Sequence, residues 1–181
     1  MDLSKKAEPF GLSMGMKLEQ IEGDSQKVKQ GMYLVEKVPR PHSAFTSYCL
    51  RIGPQNGLSW ISAFGREIHT NHFGTQLISV FEDMRGRLED VYGNCKVVNQ
   101  LVEGSALDSE KDFMNSLNEQ ERMLTAAWRK EDGANLDVDL VYVGLVAHAK
   151  NSRTGFISVD YKFINDEACE AEIREMEDEV L

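Results

Sequence analysis

Hydrophobic and polar positions alternate most regularly near the C-terminus. Ile157, Val159, Tyr161 and Phe163 are separated by Ser158, Asp160 and Lys162. Side chains alternate faces along a strand, so residues 156–164 form a strand with one apolar and one polar face. The preceding segment, 138–149, contains Leu140-Val141-Tyr142-Val143-Gly144-Leu145-Val146 and is apolar on both faces. That pattern predicts an interior strand. A short polar loop with a glycine, 150–155, joins the two as an antiparallel hairpin. Three further strands are predicted at 31–38, 47–52 and 58–66. The turn Gly53-Pro54-Gln55-Asn56-Gly57 connects the last two. Alternation in 58–66 slips around Trp60-Ile61, which predicts a bulge.

Helical spacing takes over elsewhere. Phe73, Leu77, Val80, Phe81, Met84, Leu88, Val91 and Tyr92 make a stripe over 73–92 that stops at Gly93. Gly86 lies inside this helix and weakens it by about 1 kcal/mol relative to Ala. Phe113, Leu117, Leu124 and Trp128 share one face of a second helix predicted over 109–129. Cys169, Ile173, Met176 and Val180 form the stripe of a third, 166–179, with Asn165 or Asp166 as its cap. Residues 97–102 read as either a short helix or an extended piece. Runs of strands and runs of helices without regular alternation indicate α+β. The expected architecture is a mainly antiparallel five-stranded sheet, a three-strand meander plus the C-terminal hairpin, with helices packed on one face. Residues 1–9 are expected to be a disordered leader and 10–181 a single α+β domain.

The opener from Phe10 to Glu22 has a Gly-rich turn, Phe10-Gly11 through Gly15-Met16, then Leu18-Glu19-Gln20-Ile21 as one or two helical turns. It resembles the start of small bacterial proteins, BamE-like envelope modules among them. The resemblance covers these residues alone, and no function is carried over from it.

Charge changes the picture in one place. The chain of 181 residues has a net charge of −10. Residues 166–181 hold eight carboxylates against Arg174, so they account for −7 of it. Acid at the start of that helix suits its dipole, whereas Glu177, Asp178 and Glu179 at its end oppose it. Such charges serve either a solvated face or a partner. Lys37, Arg40, Arg51 and Arg66, with the single acid Glu67, lie in 37–72, so the surface is bipolar in sequence. The acidic balance argues against a nucleic-acid footprint and allows a basic protein partner.

Candidate chemistry is sparse. Cys49, Cys95 and Cys169 are three, widely spaced, and fit reduced thiols in a cytoplasmic protein better than disulfides or structural zinc. Neither a secretory core nor a run long enough for a membrane helix is present in the sequence; a trimmed signal peptide would alter the expected location. Phosphate-binding loops, dinucleotide fingerprints, nucleophile elbows and His-Glu-x-x-His are missing. His69 and His72 are the weak metal candidates, with Asp137 and Asp139 distant in sequence. Thr70 and Asn71 between them suit a helix-capping junction instead. Cys49 or Cys95 with a histidine would make a nucleophile only if its thiol pKa were lowered.

These observations lead to an expected non-catalytic protein-binding module, such as a bacterial or phage immunity- or inhibitor-type protein. Its partner surface would be Glu170, Glu172, Glu175, Glu177, Asp178 and Glu179, and the partner would be basic. No cofactor, nucleic acid or membrane is expected. The alternatives are a small hydrolase, with or without a metal, using His69, His72 and an acid, and a small-ligand-binding domain with a pocket between sheet and helices.

Overall fold

The alternating C-terminal segments form the expected hairpin, and the rest of the sheet is built outward from it. The computed structural model describes residues 5–181. In chain order these contain β1 (Ser25–Lys29), β2 (Met32–Val35), β3 (Phe45–Gly53), β4 (Gly57–Gly65), β5 (Ile68–His69), α1 (Thr75–Tyr92) and β6 (Lys96–Leu101). They continue with α2 (Phe113–Asn118), β7 (Arg122–Trp128), β8 (Leu140–Asn151), β9 (Thr154–Phe163) and α3 (Asp166–Asp178). The strand order is β1-β2-β3-β4-β9-β8-β7-β6, with β5 also paired to β9. The class is α+β with an open, mostly antiparallel sheet. Antiparallel registers join β1 to β2, β2 to β3, β5 to β9 and β6 to β7.

Nine strands replace the five expected; the added ones are β1, the two-residue β5, β6 and β7. β1 is Ser-Gln-Lys-Val-Lys with every residue exposed, so it carries no apolar alternation. β6 resolves the ambiguous 97–102 segment as extended. The predicted helix over 109–129 is α2 followed by β7. Leu124, Ala126 and Trp128 are buried at every second position, the strand period. Between the two elements Gln120 takes φ 60, a left-handed turn that ends the helical run. Phe113, Leu117, Leu124 and Trp128 are all buried, so the apolar face was right and its periodicity was misassigned. In α1, Leu77, Phe81, Met84, Leu88 and Tyr92 are buried, whereas Phe73, Val80 and Val91 of the expected stripe are exposed. Residues 17–22 make only a 3₁₀ turn, Leu18–Gln20.

The chain forms two compact units. One comprises residues up to Phe64 with Leu136–Val143 and Asp160–Leu181; the other comprises Gly65–Asn135 and Gly144–Val159. In the first unit, Tyr48, Leu50 and Ile52 of β3 and Tyr161 and Phe163 of β9 are buried, with Cys49, Arg51, Asp160 and Lys162 on the less buried positions between them. In β4 the alternation is broken over Leu58-Ser59, both buried, and then holds through Phe64. The opener packs here. The Phe10 ring lies 4.9 Å from Tyr48, 5.6 Å from Phe45 and 5.7 Å from Tyr161. Part of the expected leader is held too. The Lys5 carbonyl accepts from Val138 N–H, and Ala7, buried, donates to Asp139. Residues 1–4 of that leader lie outside the described residues.

In the second unit α1 ends as the sequence indicates. Gly93 takes φ 78 after Tyr92, and the indole of buried Trp128 donates to the Gly93 carbonyl at 2.8 Å. Among the described residues no helix is long and apolar enough to cross a membrane.

Two substitutions test this packing. Phe163 is fully buried, and Phe163→Ala is expected to cost about 3–5 kcal/mol in denaturant unfolding. A cost below about 1 kcal/mol would place the ring on the wrong face of β9. Gly86 is a mid-helix glycine whose added Cβ would meet nothing within 4 Å. Gly86→Ala should therefore stabilise by roughly 0.5–1 kcal/mol.

Candidate functional site

The acidic C-terminal helix is seated by its own carboxylates as much as by its apolar stripe. Asp166, in the first turn, is buried at 1% exposure. It accepts two bonds from Arg51 Nη1, at 2.7 and 2.8 Å, and one from Ser59 Oγ at 2.8 Å; Lys162 Nζ lies 3.4 Å away. Arg51 also reaches Glu170 at 2.9 Å and stacks 4.4 Å over the Trp60 ring. Neither expected residue caps the helix with its side chain. Asn165 forms no side-chain cap bond; its amide instead donates to the carbonyls of Asn56 and Leu58. Asp166 is taken up by the ionic network. Below it, Cys169 is fully buried against Gly57, and Ile173 occupies the space a side chain at Gly31 would need. Met176 is half-buried, with Gln30 Nε2 at 3.7 Å from its sulfur. Val180 does not dock: α3 ends at Asp178 and Val180 is 85% exposed.

The six expected partner residues divide. Glu172 is turned inward and accepts from the Gln55 and Asn56 backbone and from the Asn56 side chain, so it holds the β3–β4 turn. Burial alone would raise its carboxyl. The bonds from Asn56 and Gln55, with the charge of Lys17, outweigh burial and hold it below its ordinary 4.5. Glu170 is half committed to Arg51. Glu175, Glu177, Asp178 and Glu179 are exposed on the outer part of the helix. A cleft of about 200 Å³, lined by Glu177 among these four, opens between α3 and the β1–β2 hairpin. Met32 and Ile173 are its apolar lining residues; Lys29, Arg51, Arg174, Glu170 and Glu177 are its charged ones. Two of the four bases of the expected bipolar surface are paired within this unit: Arg51 with Asp166, and Arg40 with Glu8 at 3.1 Å.

The other candidates have structural duties. His69 lies in β5, paired with Thr154. His72 is exposed, with its Nε2 3.5 Å from Arg153 Nη2. Between them Asn71 Oδ1 accepts from Thr75 N–H at 3.1 Å and Thr70 Oγ1 from Gln76 N–H at 3.2 Å, so the junction does serve the first turn of α1. Asp139 is buried and holds Ala7, and Asp137 sits 3.8 Å from Lys5. Among the described residues, no three His, Cys, Asp or Glu are grouped as a metal would need. Burial pushes the thiols of Cys49, Cys95 and Cys169 up, the reverse of what a nucleophile requires.

Sequence reasoning passed over two polar groups. Asp160 stands among half-buried neighbours; burial raises its carboxyl, while Ser62 and Trp60 favour the charged form. In the second unit His148 stacks on Phe156 at 4.6 Å and its Nε2 lies 2.8 Å from Ser158 Oγ. Burial lowers the imidazole below 6.5, so the ring is neutral at pH 7. Ser158 is only 3% exposed, which keeps a substrate from its hydroxyl. A hollow of about 420 Å³ passes His148, lined also by Gln120, Arg122 and Thr125. Polar residues at alternate positions of otherwise apolar strands were the available signal. No protein-family model, curated protein or solved structure matches the chain.

Glu172 gives this seating a pH signature. A carboxyl held low in the folded chain contributes stability above 4.5 and loses it as the pH falls through the folded value. Glu172→Gln is expected to flatten the acid limb of stability as the pH falls below 4.5, read from urea midpoints. An acid limb as steep as that of the wild type would remove the carboxylate from the anchoring role.

Proposed function

We propose that the chain is a non-catalytic protein-binding module, of the immunity or inhibitor type in a bacterial or phage setting, and that α3 supplies the contact. The observation that supports this reading is the division of labour along the helix. Asp166 and Glu172 are committed inward and Glu170 in part, while Glu175, Glu177, Asp178 and Glu179 remain exposed, Glu177 lining a cleft together with Met32 and Ile173. Acid at a helix C-terminus opposes the dipole, so these residues give the fold nothing that their neutral counterparts would not. A partner carrying Lys or Arg gains both the long-range field and a place for one aliphatic stem over Met32 and Ile173.

Enzymatic readings lose their support from geometry. The thiols are raised, Thr70 and Asn71 between the two histidines serve a helix junction, and Ser158 beside His148 has a buried hydroxyl. The small-ligand reading keeps the hollow beside His148 as its support.

The test uses captured partner and the triple variant Glu175→Gln, Glu177→Gln, Glu179→Gln. Association should slow by about tenfold at low salt, and its salt dependence should shrink, because exposed charges steer within a screening length of about 8 Å at physiological ionic strength. The thermal midpoint should hold or rise. Unchanged association rates at two salt concentrations, with the fold intact, would exclude α3 from the interface.

A further inference from the structure

The two edges of the sheet are built differently. β1 ends the strand order on one side and β6 on the other. β1 carries Lys27 and Lys29, and its register with β2 shifts between them. Lysines and a bulge on an edge strand are the usual protection against pairing with another chain. β6 has no bulge and one lysine, Lys96, at its end. It pairs with β7 in unbroken register from Lys96↔Ala127 to Leu101↔Arg122, and it contains neither proline nor glycine. Its one charge is Lys96. Val97 is 44% exposed and Val102, just beyond the strand, 57%.

The orientation of its free backbone follows from the same register. Val102 N–H donates to the Glu121 carbonyl, one step beyond the Leu101↔Arg122 pair. Bonding residues alternate along an antiparallel strand, so Gln100 and Val98 point their backbone groups at β7. Val97, Asn99 and Leu101 then present theirs to the outside.

We propose that β6 is a self-association edge, and that its occupant is β6 of a second copy of this chain, antiparallel about a two-fold axis centred on Asn99. In that register Val97 of one copy faces Leu101 of the other and Asn99 faces itself. Val98 faces Gln100 on the opposite side of the ribbon. No two charged residues of β6 are paired, the Asn99 side chain of each copy being held by its own Arg122 Nη1 at 2.9 Å, and about six backbone hydrogen bonds form across the axis. The same operation on β1 would set Lys27 against Lys27, which is unfavourable. The contact is isologous and closes on itself, leaving two protected β1 edges outside, so it makes a dimer and not a fibre. A separate chain adding to this edge would also bond it, but the self-complementary register favours a second copy.

Sedimentation of the full chain over a concentration series tests this. The expected result is twice the chain mass of 20.4 kDa, with dissociation on dilution. Val97→Lys should weaken the dimer by at least about 100-fold, through charge at the two symmetric contacts. Asn99→Pro should do the same while sparing the β7 pairing, because the N–H removed points outward. Val28→Lys in β1 should change nothing. Amide exchange provides a readout that does not depend on a variant's folding: Val97, Asn99 and Leu101 should slow with concentration while Val98 and Gln100 do not. A wild type that stays monomeric at about 1 mM would overturn the proposal. So would a dimer indifferent to Val97→Lys with its far-ultraviolet dichroism intact, or exchange protection confined to other strands.

Discussion

A nearly buried carboxylate, that of Asp166, sets the terms for the first unit. A charge at 1% exposure is tolerable only when opposite charge and hydrogen bonds surround it. Arg51 from β3, Ser59 from β4 and Lys162 from β9 provide them, and the carboxylate itself belongs to α3. One group therefore ties three strands to the helix. Stranding such a charge costs roughly 3–5 kcal/mol, a large share of the roughly 5–15 kcal/mol that stabilises a typical domain. The requirement propagates. Arg51 lies 4.4 Å over Trp60 while it reaches Asp166, and Glu170 one turn later contacts the same Nη1 at 2.9 Å. Arg51 is thus a component of the fold and is not available as a free cation.

The same logic explains an unusual feature of α3. Its inward face is acidic as well as apolar: Asp166, Cys169, Glu170 and Ile173 recur at helical spacing. With Glu172 gripping the Asn56 turn, the helix is held at its N-terminal half by directional contacts and at its C-terminal half only by Ile173 and Met176. Directional contacts fix the helix in rotation and register. The outer carboxylates are therefore presented at defined positions and do not sit on a swinging arm.

Much of this fold was legible from pattern, and the failures have physical causes. β3, β4, β8, β9, α1 and α3 fall within a few residues of expectation because each carries an apolar pattern long enough to set its period. The error in 109–129 arose because Leu124 and Trp128 satisfy a helical spacing, while Leu124, Ala126 and Trp128 satisfy a strand period. Small Ala126 gave no signal to decide between them, and only Gln120 in a left-handed turn separates α2 from β7. β1 carries no pattern since nothing in it is buried. At the site, the acidic run was visible, but the division within it was not. Glu172 meets Asn56 across 116 positions and Asp166 meets Arg51 across 115, and no local periodicity encodes such partners. The capping role of Thr70 and Asn71, by contrast, lies within six residues and could be read directly.

The cleft lies where the first unit is least secured. β1 is fully exposed, and its hairpin with β2 gains little from apolar burial: of β2 only Val35 is buried. What holds the hairpin turn down is α3, through Ile173 on Gly31 and Met176 beside Gln30. Gly31 has φ 69 and no room for a Cβ, so a side chain there would displace Ile173 and strain the turn together. The hairpin and the outer half of the helix therefore support each other and would loosen together, as low-stability regions of a fold do. A ligand seated on Met32 and Ile173 adds contacts to both at once. It would bind the closed arrangement better than the loosened one, and by that difference it would order the edge of the sheet as it bound. Any binding at this cleft would, on this geometry, be coupled to the stability of the β1–β2 edge.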